Sequence, residues 1–499
     1  MDETSEQLCR VMDAAELCRN VHPDPHWRNS SNAVYAHLAA FIQRLNSAPE
    51  LHAKLSAVLA EDAVASTLCP EERIVATQLQ EDMERNGVHL PPAERQRYGE
   101  LQAELLQLSS EFMENAAAAN TLVLSAAQMD ALPRTVQNLF TVAGAGTGSI
   151  VCDRVTSGRL LKWVADGEIR REIYLVANSS AQENLDVLHR ILQCRHEMAL
   201  MLGAESYGDY VAKGMMAGST DDIDAFLSNL LDSTRPKARL ELRQIAEAKA
   251  KLEKDCEKTA DGVAAVIHPW DTQYYMGMTK ATVHDLNAKD LSAYFSLNNC
   301  LAGLDLMVGR LFDMTLQRVD CSDAELWDPS VQKVALLHPV DGVVGHIYLD
   351  LHPREGKHSH IFAQFSIQCA SQRTGRLPTV ALVCNFERSG HGADPLLAHS
   401  EVETLFHEFG HALHALLSRT YFQHSSGTRT LLDFVETPST LLEHLLQSIY
   451  DVIKPFNLPL FLSRFVTYIL AEAGTLCGMK ISSLSGQHIT AQARRFLPE

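Results

Sequence analysis

His407, Glu408 and His411 form a His-Glu-x-x-His string within residues 401–414, Glu-Val-Glu-Thr-Leu-Phe-His-Glu-Phe-Gly-His-Ala-Leu-His. On an α-helix, residues four apart share a face, so both imidazoles can reach a single ion at about 2.1 Å, while Glu408 projects about 100° away. A carboxylate in that position can hold and deprotonate water at the metal without being a ligand itself. The chemistry implied is zinc-assisted hydrolysis of peptide bonds.

Two histidines do not complete such a site, which takes three protein ligands and keeps a fourth position open for water. Glu436, in Asp433-Phe434-Val435-Glu436-Thr437-Pro438-Ser439, is the candidate third ligand. His414 is the rival, but it falls about 10.5 Å along the helix axis from His407, too far for three histidines to share one ion. It is read as support or packing. Ligating histidines usually donate their other N–H to a carboxylate or carbonyl; Asp433, Ser439 and Glu443 are the nearest partners in sequence, with Glu443 ranked first.

The elements that must position these groups are legible around them. Ser400 followed by Glu403 reads as a capping-box helix start, and Val402, Leu405, Phe406, Phe409, Leu413, Leu416 and Leu417 give the helix an apolar face. Gly410 lets another backbone approach closely. Ser425-Ser426-Gly427-Thr428 reads as a turn, and Thr440 to Leu446 as a second helix folding back on the first, which would bring Glu436 to the metal. Upstream, 343–351, 360–367 and 379–383 are short β-prone runs separated by turn residues, so a small sheet is expected beside the metal helix. An edge of that sheet can pair with an extended peptide backbone; the sequence leaves open which strand is the edge.

The string His407 to His414, with Gly427-Thr428 and Asp433 to Ser439, resembles the thimet-type oligopeptidase family of zinc metallopeptidases. Tyr348 to Lys357 and Val380 to Phe386 are also similar to that family's catalytic-core strings, and the resemblance covers approximately residues 1 to 456. It implies helical lobes around a deep channel that admits extended peptides. It also implies one zinc ion on His407, His411 and Glu436, with Glu408 as the general base. The opening strings Leu8 to Asp13 and His22 to Pro25, with Pro269 to Tyr275, are most similar to the branch that processes mitochondrial precursors. That branch implies removal of an N-terminal octapeptide from imported precursors in the mitochondrial matrix. General oligopeptide degradation in the cytoplasm or an organelle, and a truncated, inactive form that binds zinc and peptide, are the alternatives.

Composition bounds the rest. The chain has 499 residues, 46% of them hydrophobic, enough for a large core. A formal net charge of −19 argues against a nucleic-acid partner; it suits basic substrates, and it is also a common route to solubility. The eleven cysteines contain no Cys-x-x-Cys pair, so neither a zinc knuckle nor a disulfide framework is suggested. No transit peptide is visible at the start, and the most apolar stretch, Leu458 to Gly478, is interrupted by Arg464 and Glu472, so no membrane insertion is expected.

Helical periodicity runs from residue 5 to about 130 and again from Asp166 to Lys258, around a Pro- and Gly-marked break in which Ser149 to Cys152 is strand-like. The expected architecture is mostly α and two-lobed. The expected regions are a helical lobe region over 1–330, a catalytic sheet and zinc-helix region over 331–456, and a divergent tail over 457–499. The family carries a histidine and several tyrosines well downstream of the third ligand, implied to stabilise the oxyanion. The pattern departs from the family after about Lys454, and the tail offers Tyr468 and His488 but no tyrosine cluster, so truncation and weak turnover are expected.

Overall fold

The computed structural model describes residues 2–61, 65–117, 120–179, 182–253, 265–284, 292–358, 362–388 and 394–447. The expected tail, with Tyr468 and His488, lies outside them. Helices dominate the described residues, as the periodicity predicts, and they gather into two compact units.

One unit takes in the described parts of 99–207 and 220–287. Its core joins Leu122, Leu124, Phe140, Leu160, Val164, Ile169 and Ile173. Strands β1 (Thr121–Leu124), β2 (Thr141–Val142) and β3 (Gly148–Val151) form an antiparallel sheet in the order β1-β3-β2. The strand-like reading near 149–152 corresponds to β3, but β1 interrupts the expected helical run. Its Thr-Leu-Val-Leu alternates exposed and buried, sending Leu122 and Leu124 into the core, and Ser125 then caps the next short helix by accepting the N–H of Gln128. Arg170 is fully buried here, bonded to Asp271 Oδ1 at 2.7 Å, and Lys249 Nζ donates to Asp271 Oδ2 at 2.7 Å. The one carboxylate thus pairs with cations from two separate helices, and Glu253 lies 3.8 Å from the first and 4.0 Å from the second.

The other unit takes in the described parts of 1–98, 208–219 and 288–462, and it carries the metal motif. Pro25, Pro49 and Pro70 each open a helix, at the position where the missing N–H would have no intrahelical partner anyway. Its sheet contains β4 (Thr315–Val319), β5 (Gln332–His338), β6 (Gly342–Asp350), β7 (Ala363–Gln368) and β8 (Thr379–Val383) in the order β4-β5-β6-β8-β7. All neighbours are antiparallel except β6 and β8. The three β-prone runs correspond to β6, β7 and β8, although residues 360 and 361 at the start of the second lie outside the described residues. β4 and β5 were not among those runs: β4 is a largely exposed strand with the polar centre Gln317-Arg318, and it lacks a continuous apolar signal.

Central β8 is buried on both faces, with Val380 to Val383 fully inaccessible, which is why it reads as an unbroken apolar run. The N-terminal helix, Asp2–Val21, packs Leu17 and Val21 against Val331, Tyr348, Ala381 and Val383. The metal-motif helix, His399–Leu417, lies against β6, β7 and β8 and against the helix Thr437–Gln447. Its start differs from the expected one: Ser400 lies inside the helix, and the Glu401 carboxylate accepts the Ala398 N–H at 2.7 Å. Of the two edge strands, β4 and β7, it is β7 that packs against this helix.

Candidate metal centre

Val402, Leu405, Phe406, Phe409, Ala412, Leu413 and Leu416 are all buried, so the apolar stripe holds the helix on the sheet and fixes the direction of its other face. On that face the rings of His407 and His411 stand 5.0 Å apart, nearly perpendicular. Glu436 Oε2 lies 3.3 Å from His407 Nε2 and 3.1 Å from His411 Nε2. Ligands about 2.1 Å from a tetrahedral zinc would stand about 3.4 Å apart, so this donor set fits zinc in both chemistry and spacing.

Glu436 reaches the site because two helices meet without a side chain between them. A Cβ on Gly410 would lie 2.6 Å from Ser439 Cα, so only glycine lets the start of the second helix come this close. Glu436 is the residue before that helix, and its carbonyl accepts the Thr440 N–H at 3.0 Å. The Ser439 hydroxyl donates to Glu436 Oε2 at 2.7 Å; this bond, helped by the two histidines, holds the carboxyl below its usual range. Burial pushes the His411 imidazole down, toward the neutral form that ligates metal, although Glu436 opposes the shift.

His407 Nδ1 lies 2.5 Å from Glu443 Oε1, which fixes the ring with Nε2 facing Glu436. Of the three partners expected from sequence, Glu443 makes this contact. Ser439 holds Glu436, and Asp433 accepts the Ala217 N–H at 3.1 Å. His414 packs edge-on against Phe434, in keeping with its expected supporting place.

Glu408 is buried beside the cluster, and burial pushes its carboxyl up to about 7, with the charge of Glu436 adding to the shift and His407 opposing it. The backbone N–H of Gln364 on β7 donates to it. That contact was not legible in the sequence, because it uses a main-chain group of a strand whose edge position only the fold reveals.

The Tyr348 to Lys357 string proves to be an anchor at the end of β6. Fully buried Asp350 accepts from Trp327 Nε1 at 2.8 Å, Arg354 Nη1 at 2.5 Å and Lys357 Nζ at 2.9 Å. Arg354 also reaches the Val21 carbonyl at 2.5 Å, tying the N-terminal helix to the sheet.

The fold and this site define a metallopeptidase-like catalytic unit, and the chain belongs to peptidase family M3, whose model matches residues 160–454. It is similar to the mitochondrial intermediate peptidase of Arabidopsis thaliana, at 35% identity over 89% of this chain and 64% of that protein. It is similar to those of Pleurotus djamor, at 32% over 90% and 61%, and Saccharomyces cerevisiae, at 30% over 91% and 63%. The chain therefore spans a little over three-fifths of the length of these relatives. Among the described residues, no helix is long and apolar enough to cross a membrane.

Proposed function

We propose that this chain is a zinc-dependent endopeptidase of extended peptides, acting in the mitochondrial matrix to remove an N-terminal octapeptide from imported precursors. The observation that carries the zinc reading is the convergence of His407, His411 and Glu436 within 4.8 Å, next to the buried Glu408. The processing reading rests on the relatives' name and on the strings shared with that branch.

When bound, zinc supplies Lewis acidity toward the scissile carbonyl and toward water. Glu443 orients His407, Ser439 orients Glu436, and Gly410 lets the two ligand helices meet. The Glu408 carboxylate takes the proton of the attacking water and passes it to the leaving amine, a task suited to a group that titrates near neutrality. Beyond the Gln364 N–H that Glu408 takes, the outer side of β7 offers its main chain to an extended substrate, which selects backbone shape over side-chain identity. The acidic balance of the chain suits Arg-rich targeting peptides.

The test is incubation with a presequence-like peptide and mapping of the cut by mass spectrometry. A single cut eight residues from the N-terminus, abolished in Glu408→Gln, is the expected result. Scattered cuts would favour general oligopeptide degradation, and a zinc-loaded chain that cuts nothing would favour the binding-only form.

A further inference from the structure

The third ligand is the most exposed of the three. The Glu436 side chain is 60% exposed, and its neighbours Leu432, Asp433 and Thr437 are exposed as well. Between Arg429 and Ser439 the chain runs through successive turns, with Phe434 and Val435 N–H groups both on the Leu431 carbonyl and Thr437 N–H on that of Phe434. This stretch is held through Asp433, which accepts the Ala217 N–H at 3.1 Å, and at its two ends. One is Ser439, fully buried against Gly410.

The other is Arg429. Its Nη2 donates to Asp13 Oδ2 on the N-terminal helix at 2.7 Å, and its Nη1 donates to Gln423 Oε1. Gln423 is itself held from that helix, donating to Ser5 Oγ at 2.9 Å, and the His424 N–H reaches Asp2 Oδ1 at 3.3 Å. Gly427, at φ 60°, presses on the metal-motif helix so closely that a Cβ there would lie 2.7 Å from Ala415 Cα, and its N–H donates to Ser418 Oγ. The loop is thus clamped between the helix that carries both histidines and the N-terminal helix, which Leu17 and Val21 seat in the sheet core.

We propose that Asp13 is a positioning residue for the metal centre: through Arg429 the N-terminal helix braces the loop that delivers Glu436. This rests on the zinc reading above. A brace acts only through the ligand it places. Removing it lets Glu436 wander and weakens metal binding, but it has nothing left to weaken once Glu436 is gone.

The experiment measures zinc affinity of the full chain by competition with a chromophoric chelator, for wild type, Asp13→Ala, Glu436→Ala and the double variant. Melting of each metal-free chain controls for folding. Asp13→Ala should lower affinity about 10- to 100-fold, the range for groups that orient ligands, and should lower it no further in the Glu436→Ala background. Asp13→Glu should recover most of the loss. Should Asp13→Ala not fold, Asp13→Asn carries the same comparison. Undiminished affinity, or an equal loss in both backgrounds, would overturn the proposal, whereas a wild-type chain that binds no zinc would overturn the zinc reading itself.

Discussion

Gly410 stands directly against Ser439: a Cβ added to Gly410 would lie 2.6 Å from Ser439 Cα and 2.8 Å from the Pro438 carbonyl oxygen. Neither atom can yield without moving the start of the helix that Glu436 precedes. Gly410→Ala should therefore cost stability by about 1–3 kcal/mol, as overpacking does, and should also weaken zinc binding by displacing Glu436. Calorimetric melting and chelator competition on the same variant check both effects. An alanine variant with wild-type zinc affinity would show that the close approach is not what places Glu436.

Glu443→Ala removes the group that holds His407 Nδ1. Zinc affinity should fall about 10- to 100-fold while the fold persists, and Glu443→Gln, which can still accept the ring N–H, should fall less. Equal affinity across the three proteins would contradict the orienting role.

The base makes a pH prediction. Glu408 works as the carboxylate, and burial raises its carboxyl to about 7 in the metal-free chain. Peptide cleavage, read as kcat/KM, should therefore fall with falling pH, with its midpoint no higher than about 7. A bound cation favours the charged form and moves this midpoint down, never up. Glu408→Gln should retain zinc and lose about 10²- to 10⁴-fold in rate. A variant that loses the metal, or keeps its turnover, would assign Glu408 a different role.

Asp271 predicts a stability effect in the other unit. Burial alone would raise its carboxyl, but bonds from Arg170 and Lys249 win and hold it below the usual range. A group with a depressed folded value stabilises at every pH above its unfolded value of about 3.9, and that stabilisation is lost as pH falls through the folded one. Asp271→Ala leaves two buried cations with only the more distant, partly exposed Glu253 and should cost about 3–5 kcal/mol near neutrality. Denaturant melts at pH 7 and pH 3 check this, with the gap between variant and wild type narrowing at the lower pH.

Much of the site was readable from the sequence because its chemistry lies in short local patterns. The four-residue spacing of His407 and His411 needs only a helix, and the apolar residues from Val402 to Leu416 specify one. The choice of Glu436 followed from ligand arithmetic and a turn. Long-range geometry was not readable. That β7 is the edge beside the metal helix depends on strand order, and strand order leaves no mark in the pattern of β7 itself. The Arg429 to Asp13 pair joins residues at opposite ends of the chain, and a single charge in a loop carries no sign of its partner. β1 does not stand out from the helical run before it because Leu122-Val123-Leu124 is too short an apolar stretch to show either period.

The central claim is that His407, His411 and Glu436 hold one zinc ion. Its most direct test is the zinc content per chain of the wild type and Glu436→Ala after gel filtration in metal-free buffer. About one zinc per wild-type chain and a large loss in the variant are expected, because two histidines alone do not retain the metal. Full occupancy in Glu436→Ala, or no zinc in the wild type, would contradict it.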